Sequence, residues 1–547
     1  MSLICTDSSI ADHRVRQYVF PTRIVWSQQA PDDLSVLTAS HVIRPCYPPP
    51  ATVILPPGAA VLVDFGNETA GHLRLVTGTA SGHTPAQLRI RLSESASEAM
   101  ASPDNDHSLH DFSLQAPWCG EVELGPTGFR FVRIDVTPDS SPLHLAQVCA
   151  VSLLHPAPLL GSFHCSDDRL NAIWAAGART IQLCMQDVIV DGPKRDRLAW
   201  MGDTVVEARV VRAVFGTDPL IARTLTHLRD VTPPSQNMNT MATYSWWWIV
   251  SVLDYYTWTG DRSWLRQQQP YLQSLLQRFT AEIIARPQWT ARPSSFVDHA
   301  TGNDPVNALW GTRAIEVIGL CAGIRLCDLL SQDPTTQLCR QALHALRSGV
   351  PPMPAINKAA TALLVLAGLA DPADANRQTL SRDPARNLST FMGNFILDAR
   401  VLAGDYAGCL DLIRSYWGAM LDMGATTFWE DFDIQWLNNA GRIDELPVAG
   451  KVDVHAQRGQ GCYAGHRHSL CHGWSAAPTA WLTRHVLGIE PIENNPLRLT
   501  VRPNLLDLSF AEGAWPTPAG VVNVRHERRA DGSIHTTLAT PDGVTAG

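Results

Sequence analysis

Residues 191–203, DGPKRDRLAWMGD, set three carboxylates and three cationic side chains around one tryptophan. An indole offers an apolar face to a sugar ring, and carboxylates grip hydroxyls or move protons. Pro193 suits the first position of a helix and Asp191 its cap. With residues 194 onward helical, Asp196, Trp200 and Asp203 fall at i, i+4 and i+7 on one face. The ordinary fate of such a run is also open, with Lys194, Arg195 and Arg197 pairing with the aspartates on an exposed helix end. The D-x-D-x-D-G spacing of a calcium loop is absent.

A second cluster, GATTFWEDFD at residues 424–433, puts Glu430 directly after Trp429, with Asp431 and Asp433 beside it. Glycoside hydrolysis needs two such carboxyl groups from distant parts of a chain. One protonates the leaving oxygen, and the other activates water or attacks carbon. A turn rich in helix caps would have the same composition. A third cluster, residues 465–482, holds His466, His468 and His472. Positions i, i+2 and i+6 share no helical face, and no HExxH accompanies them. A histidine donating to a sugar hydroxyl, or a buried structural histidine, fits better than a metal site. The three tryptophans of YSWWWIV, residues 244–250, point around a helix, which sends one to the core and leaves another for a sugar cleft.

The elements that must position these residues follow from periodicity. Up to about residue 155, short runs alternate polar and apolar residues: AVLVDFG (60–66), HLRLVTG (72–78), QLRIRLSE (87–94) and FVRIDV (131–136). They predict a β-sandwich. After HPAPLLGSFHCSD the period changes, and Ser166 can cap a helix carrying Leu170, Ile173, Trp174, Ile181 and Cys184. About a dozen helical segments follow, among them 244–259, 308–330, 390–402 and 474–487. Short loops make neighbours antiparallel, and six such pairs close an (α/α)6 barrel. Past Gly488, VVNVRHE and SIHTTLAT flank RRADG as a hairpin. The expected fold is multidomain α and β: a β-sandwich (1–155), an (α/α)6 barrel (156–489) and a small C-terminal β-domain (490–547).

A chain of 547 residues, 45% apolar and 17% charged, has the composition of a globular protein of several domains. Its net charge of -9 lacks the basic surplus of a nucleic-acid binder. No segment offers 18 uninterrupted apolar residues, and the first 20 residues lack a basic stretch followed by an apolar run, so no membrane association is expected and a cytoplasmic location is. The twelve scattered cysteines suit reduced thiols filling a core.

Taken together, these segments resemble glycoside hydrolase family 78, the bacterial and fungal α-L-rhamnosidases. The family motif D-x-P-x-R-E-R-x-x-W-x-G-D is matched by Asp191, Pro193, Arg195, Arg197, Trp200, Gly202 and Asp203. TTFWE resembles the second acidic segment, and HSLCHGWSAAPTAWLTRHVLGI the last barrel helix. LVDFGNETAGHLRL and GFRFVRI are similar to the β-sandwich, and WPTPAG to the C-terminal domain. The resemblance implies inversion of configuration, with Asp196 at the general-acid position and Glu430 as general base. It implies substrate contacts for Asp191, Arg195, Trp200, Asp203, Asp298, Trp429 and His472, and it requires no cofactor or metal. The expected partner is a carbohydrate, and a homo-oligomer is compatible with the chain.

Two positions depart from the family. His299 stands where tryptophan is usual, and Asp196 replaces the glutamic acid. Aspartate is one methylene shorter, and proton transfer needs a heavy-atom approach of about 2.6–3.2 Å, so backbone or substrate must shift to meet it. Two other readings follow: a carbohydrate-binding protein on this scaffold, and a lyase whose basic subsite is Lys194, Arg195 and Arg197.

Overall fold

The computed structural model describes residues 12–79, 84–102, 105–290, 295–300, 304–492 and 495–547. Residues 1–11, on which part of the targeting expectation rests, lie outside them. Contacts divide the chain into two compact units: Met1–Pro158 with Gln182–Asp187 and Pro193–Arg195, and Leu159–Ile181 with Val188–Gly192 and Asp196–Gly547.

The first unit is sheet-rich, one hydrogen-bonded sheet of eight strands. The runs at 60–66 and 72–78 are the two halves of a single strand, Ala60–Thr77, which shifts register against Glu121–Val136 between Asp64 and Thr69 and again between Gly71 and Leu73. Gly71 permits the bend: at φ 152°, a Cβ there would lie 2.1 Å from the Val151 carbonyl oxygen of the neighbouring strand. Leu88, Ile90 and Leu92 fill the core of this unit as their alternation predicts. Arg91, on the opposite face, is buried as well, and its charge is met by Asp135 at 2.7 Å.

The second unit is a barrel of helical pairs. Six inner helices, α1 (Met201–Phe215), α2 (Ala242–Thr259), α3 (Pro305–Leu329), α4 (Lys358–Leu366), α5 (Thr390–Leu402) and α6 (Ala477–Trp481), each neighbour the next, and α6 returns to α1. Each is preceded by an outer helical stretch: Asp168–Cys184, Pro219–Val231, Arg262–Ala285, Asp333–Ser348, then 372–380 and 406–422. All six inner helices therefore run the same way. Trp246, Trp247 and Trp248 are all buried; Trp246 stacks on Phe279, Trp247 on Phe395, and Trp248 donates to the Leu225 carbonyl. None of the three is left for a cleft.

Two local expectations change. The first outer helix is capped by Asp167, whose Oδ1 accepts from the Arg169 and Leu170 N–H groups, while the Ser166 hydroxyl accepts from Ser509 N. Residues 474–487 form no regular helix but a 3-10 turn, the short α6 and a π turn. The C-terminal hairpin forms as predicted: Gly520–Arg528 pairs antiparallel with Ile534–Ala539. Its sheet also takes in Phe510–Thr517 and Ser162–Cys165, the strand before the first helix. The described cysteines are all free thiols.

Candidate active site

The connections from each outer to each inner helix carry the chemistry. Asp191, Asp196 and Trp200 precede α1, Asp298 precedes α3, and Trp429, Glu430 and His472 lie on the long connection to α6. Asp203 sits in the first turn of α1. Six helix N-termini thus lie at one end of the barrel, and their partial positive charges offset part of the repulsion among the acids gathered there.

Residues 191–200 are not helical. Asp191 Oδ1 accepts from Leu198 N at 2.9 Å, and the Asp191 N–H donates to the Leu198 carbonyl at 3.0 Å, which closes a loop across the stretch expected to be the first helical turns. Asp196 and Arg197 take φ of 55° and 56°, and helix begins only at Met201. Asp196 and Asp203 therefore do not share a helical face. Two consecutive non-glycine residues in this region cost about 1–2 kcal/mol each, a strain that proteins retain mainly at functional sites.

The same loop corrects the fate of the cations. Lys194 is buried in the sheet-rich unit, with Nζ 2.9 Å from Glu94 and 3.1 Å from Glu98. Arg195 belongs to that unit too, where it bridges Ser108. Neither lies on an exposed helix end.

Glu430 and His472 come together through two paired stretches. Glu430 N donates to the Ser469 carbonyl and His472 N to that of Phe428, both at 2.9 Å, while Ser469 N donates to Glu430 Oε2 at 3.1 Å. The Glu430 carbonyl accepts from Thr390 Oγ1 at 2.5 Å and Trp474 Nε1 at 2.8 Å. The Asp431 N–H donates to His468 Nε2 at 2.9 Å, which gives His468 a positioning place. Trp429 is fully buried and edge-on to Phe432. Trp200 is half-buried and edge-on to Tyr244. Asp298 is buried, accepting from Ser389 Oγ at 2.6 Å.

His472 Nε2 lies 3.0 Å from Asp203 Oδ1, and both side chains are only 3% exposed. Burial opposes the histidine's charge, but Glu430, Asp203 and Asp191 outweigh it and hold the pKa up at about 9. An imidazolium therefore sits among three acids at neutral pH. Burial pushes Asp191 well above the usual carboxylate range, with Asp203 and Asp196 adding to the rise and His472 opposing it. Burial also raises Asp203, against the pull of His472. Asp431 is pushed up to about 7 by burial, then by Asp298 and Glu430.

Three residues enter that the sequence reading did not single out for the site. Glu207, one turn after Asp203 on α1, is wholly buried, and neither carboxyl oxygen has a partner among the described residues. Burial, then Asp203 and Asp191, push its pKa well above the usual carboxylate range, which favours the neutral acid. Its i+4 spacing from Asp203 was the available signal. Tyr244 and Tyr463 are buried within electrostatic reach of Asp298, their phenols raised by burial first.

Residues 158–317 match the family described as the bacterial alpha-L-rhamnosidase 6 hairpin glycosidase domain. The fold is similar to that of a GH78 family rhamnosidase of Bacillus sp. GL1, at TM-score 0.72 and 21% identity over 91% of this chain and 55% of that one. A rhamnosidase from Klebsiella oxytoca with rhamnose bound gives 0.64 and 20% over 87% and 97%. The Streptomyces avermitilis alpha-L-rhamnosidase complexed with L-rhamnose gives 0.70 and 18% over 91% and 50%. The chain spans about half the length of the Bacillus and Streptomyces proteins. None of the curated proteins compared matches it. Residues 158–317 thus match the bacterial alpha-L-rhamnosidase 6 hairpin glycosidase domain, and the fold around them is similar to that of solved rhamnosidase structures.

Proposed function

We propose that this chain is an inverting, exo-acting α-L-rhamnosidase, which removes terminal α-L-rhamnosyl or similar deoxy-sugar residues from glycosides or oligosaccharides. The observation that carries the reading is the buried constellation of Asp191, Asp203, Glu430 and His472 at the N-terminal ends of the inner helices, with Asp196 in electrostatic reach of Asp191. In this reading Glu430, its carboxylate oriented by the Ser469 N–H, takes a proton from the attacking water. Asp196 protonates the departing oxygen as the C1–O bond to the leaving group breaks and the C1–O bond to water forms on the opposite face. Asp191, Asp203 and His472 hold the sugar hydroxyls. Asp196 is presented from left-handed backbone that it shares with Arg197. Lys194, committed to Glu94 and Glu98, weakens the lyase reading, which needs a basic subsite.

The test is release of nitrophenol from 4-nitrophenyl α-L-rhamnoside. Wild type is expected to turn over, and Glu430→Gln to lose roughly a hundredfold or more in kcat. Proton NMR of the first-formed sugar should show β-L-rhamnose. Turnover that survives in Glu430→Gln, or a first-formed α anomer, would reject the assignment.

A further inference from the structure

Toward the opposite end of the inner helices from the clustered acids, a cavity of about 240 Å³ lies among α1, α2, α5, α6 with the turn that follows it, and the strand Phe510–Thr517. None of the candidate active-site residues lines it. Four side-chain donors of its lining have no acceptor among the described residues: Arg212 Nε, Asn394 Nδ2, Trp481 Nε1 and Trp515 Nε1. Asn394, Trp481 and Trp515 are only 6%, 5% and 4% exposed, so each leaves unmade a hydrogen bond that nearly all buried polar groups make. Indole N–H groups and a guanidinium can only donate, so whatever completes them must accept.

The partial negative charges at helix C-terminal ends suit the arginines gathered here. Two of these are already committed: Arg209 pairs with Asp398 at 2.8 Å and stands 3.9 Å from Asp254, and Arg484 pairs with Glu490 at 2.9 Å. Arg212 makes no ion pair among the described residues. It donates to the Asp254 carbonyl at 3.3 Å and lays its guanidinium over Trp258, 4.5 Å from the ring centre. Burial draws its pKa down to about 9 against the pull of Asp254, and Arg209 and Arg484 add to the fall. His485, in the same wall, is pushed down to about 4 by burial and then by Arg484. Both shifts disfavour positive charge, and a bound anion would relieve both.

We propose that this cavity is a binding site for a small oxyanion, a carboxylate or phosphate group, held by Arg212 with Asn394, Trp481 and Trp515 and separate from the sugar site. Its volume is below that of sites for drug-sized ligands, which suits a compact anion. Hydrogen bonds to an ionised acceptor are among the strong ones, and several donors here can share one ligand.

The experiment titrates the whole protein, at neutral pH and constant ionic strength, with sodium phosphate and separately with sodium acetate, against a sodium chloride control, and reads binding by calorimetry. Wild type is expected to bind at least one of the two anions saturably, one per chain. The tighter arm tells a phosphorylated ligand from a carboxylate one. Trp515→Phe keeps an aromatic ring and removes one donor, and it is expected to raise Kd about tenfold, with Arg212→Gln raising it about a hundredfold. Should Arg212→Gln fold poorly, Trp515→Phe decides alone. No saturable binding of either anion, or an affinity that Trp515→Phe leaves unchanged, would overturn the site and leave its donors to water.

Discussion

His472 keeps its proton because three acids surround it, and that choice has a cost in alkali. A folded pKa of about 9 against an ordinary 6.5 means that the folded state binds more protons than the unfolded one between those values. The stabilisation is complete below 6.5 and is lost as pH rises through about 9, at roughly 1.4 kcal/mol per pKa unit. The carboxyls of Asp191, Asp203 and Glu207 are raised as well, so each also favours the folded state less as pH increases. The melting temperature of wild type is therefore expected to fall across this window, and His472→Gln to show a shallower fall. Equal slopes in a pH series of thermal melts would show that His472 does not hold the charge assigned to it.

At the scale of elements, much of the site could be read from the sequence because it lies where regular structure stops. Thr390–Leu402 forms the helix that its apolar spacing predicts, and the acids cluster in the connections between such helices. The helical phase drawn through Asp196, Trp200 and Asp203 failed because the loop closes on itself through Asp191 and Leu198, a contact that periodicity does not encode. The pairing of Glu430 with Ser469 likewise joins residues 39 apart, which no local pattern reports. The Gly202 of the W-x-G-D motif has a specific physical reason: a Cβ there would lie 2.4 Å from Tyr244 Cζ. Gly202→Ala is expected to cost about 1–3 kcal/mol and to lower activity by displacing the start of α1. The double variant with Tyr244→Ala should cost less than the sum of the two single changes, since the ring that the methyl strikes is gone. Strict additivity in denaturant melts would place the strain elsewhere.

At the scale of the whole chain, the segment that opened the reading serves two bodies. Asp191 and Asp196 belong to the helical unit, while residues 193–195 belong to the sheet-rich one. The three cations form one run in the sequence, yet Lys194 is only 1% exposed. Glu94 and Glu98 hold it there: burial disfavours its charge, but the two carboxylates outweigh that and raise its pKa. Glu98 Oε2 also accepts from Glu94 N at 2.8 Å, so both acids are fixed in place on the turn that Ser95 caps. Removing one member of such a buried group leaves the rest uncompensated, at about 3–5 kcal/mol, whereas replacing the whole group with neutral residues of similar size can cost little. Lys194→Met is accordingly expected to destabilise the sheet-rich unit by that amount, and Lys194→Met combined with Glu94→Gln and Glu98→Gln to recover most of it. Chemical denaturation of the three proteins checks this. A triple variant no more stable than Lys194→Met would mean that Lys194 acts through packing of its methylenes rather than through its charge.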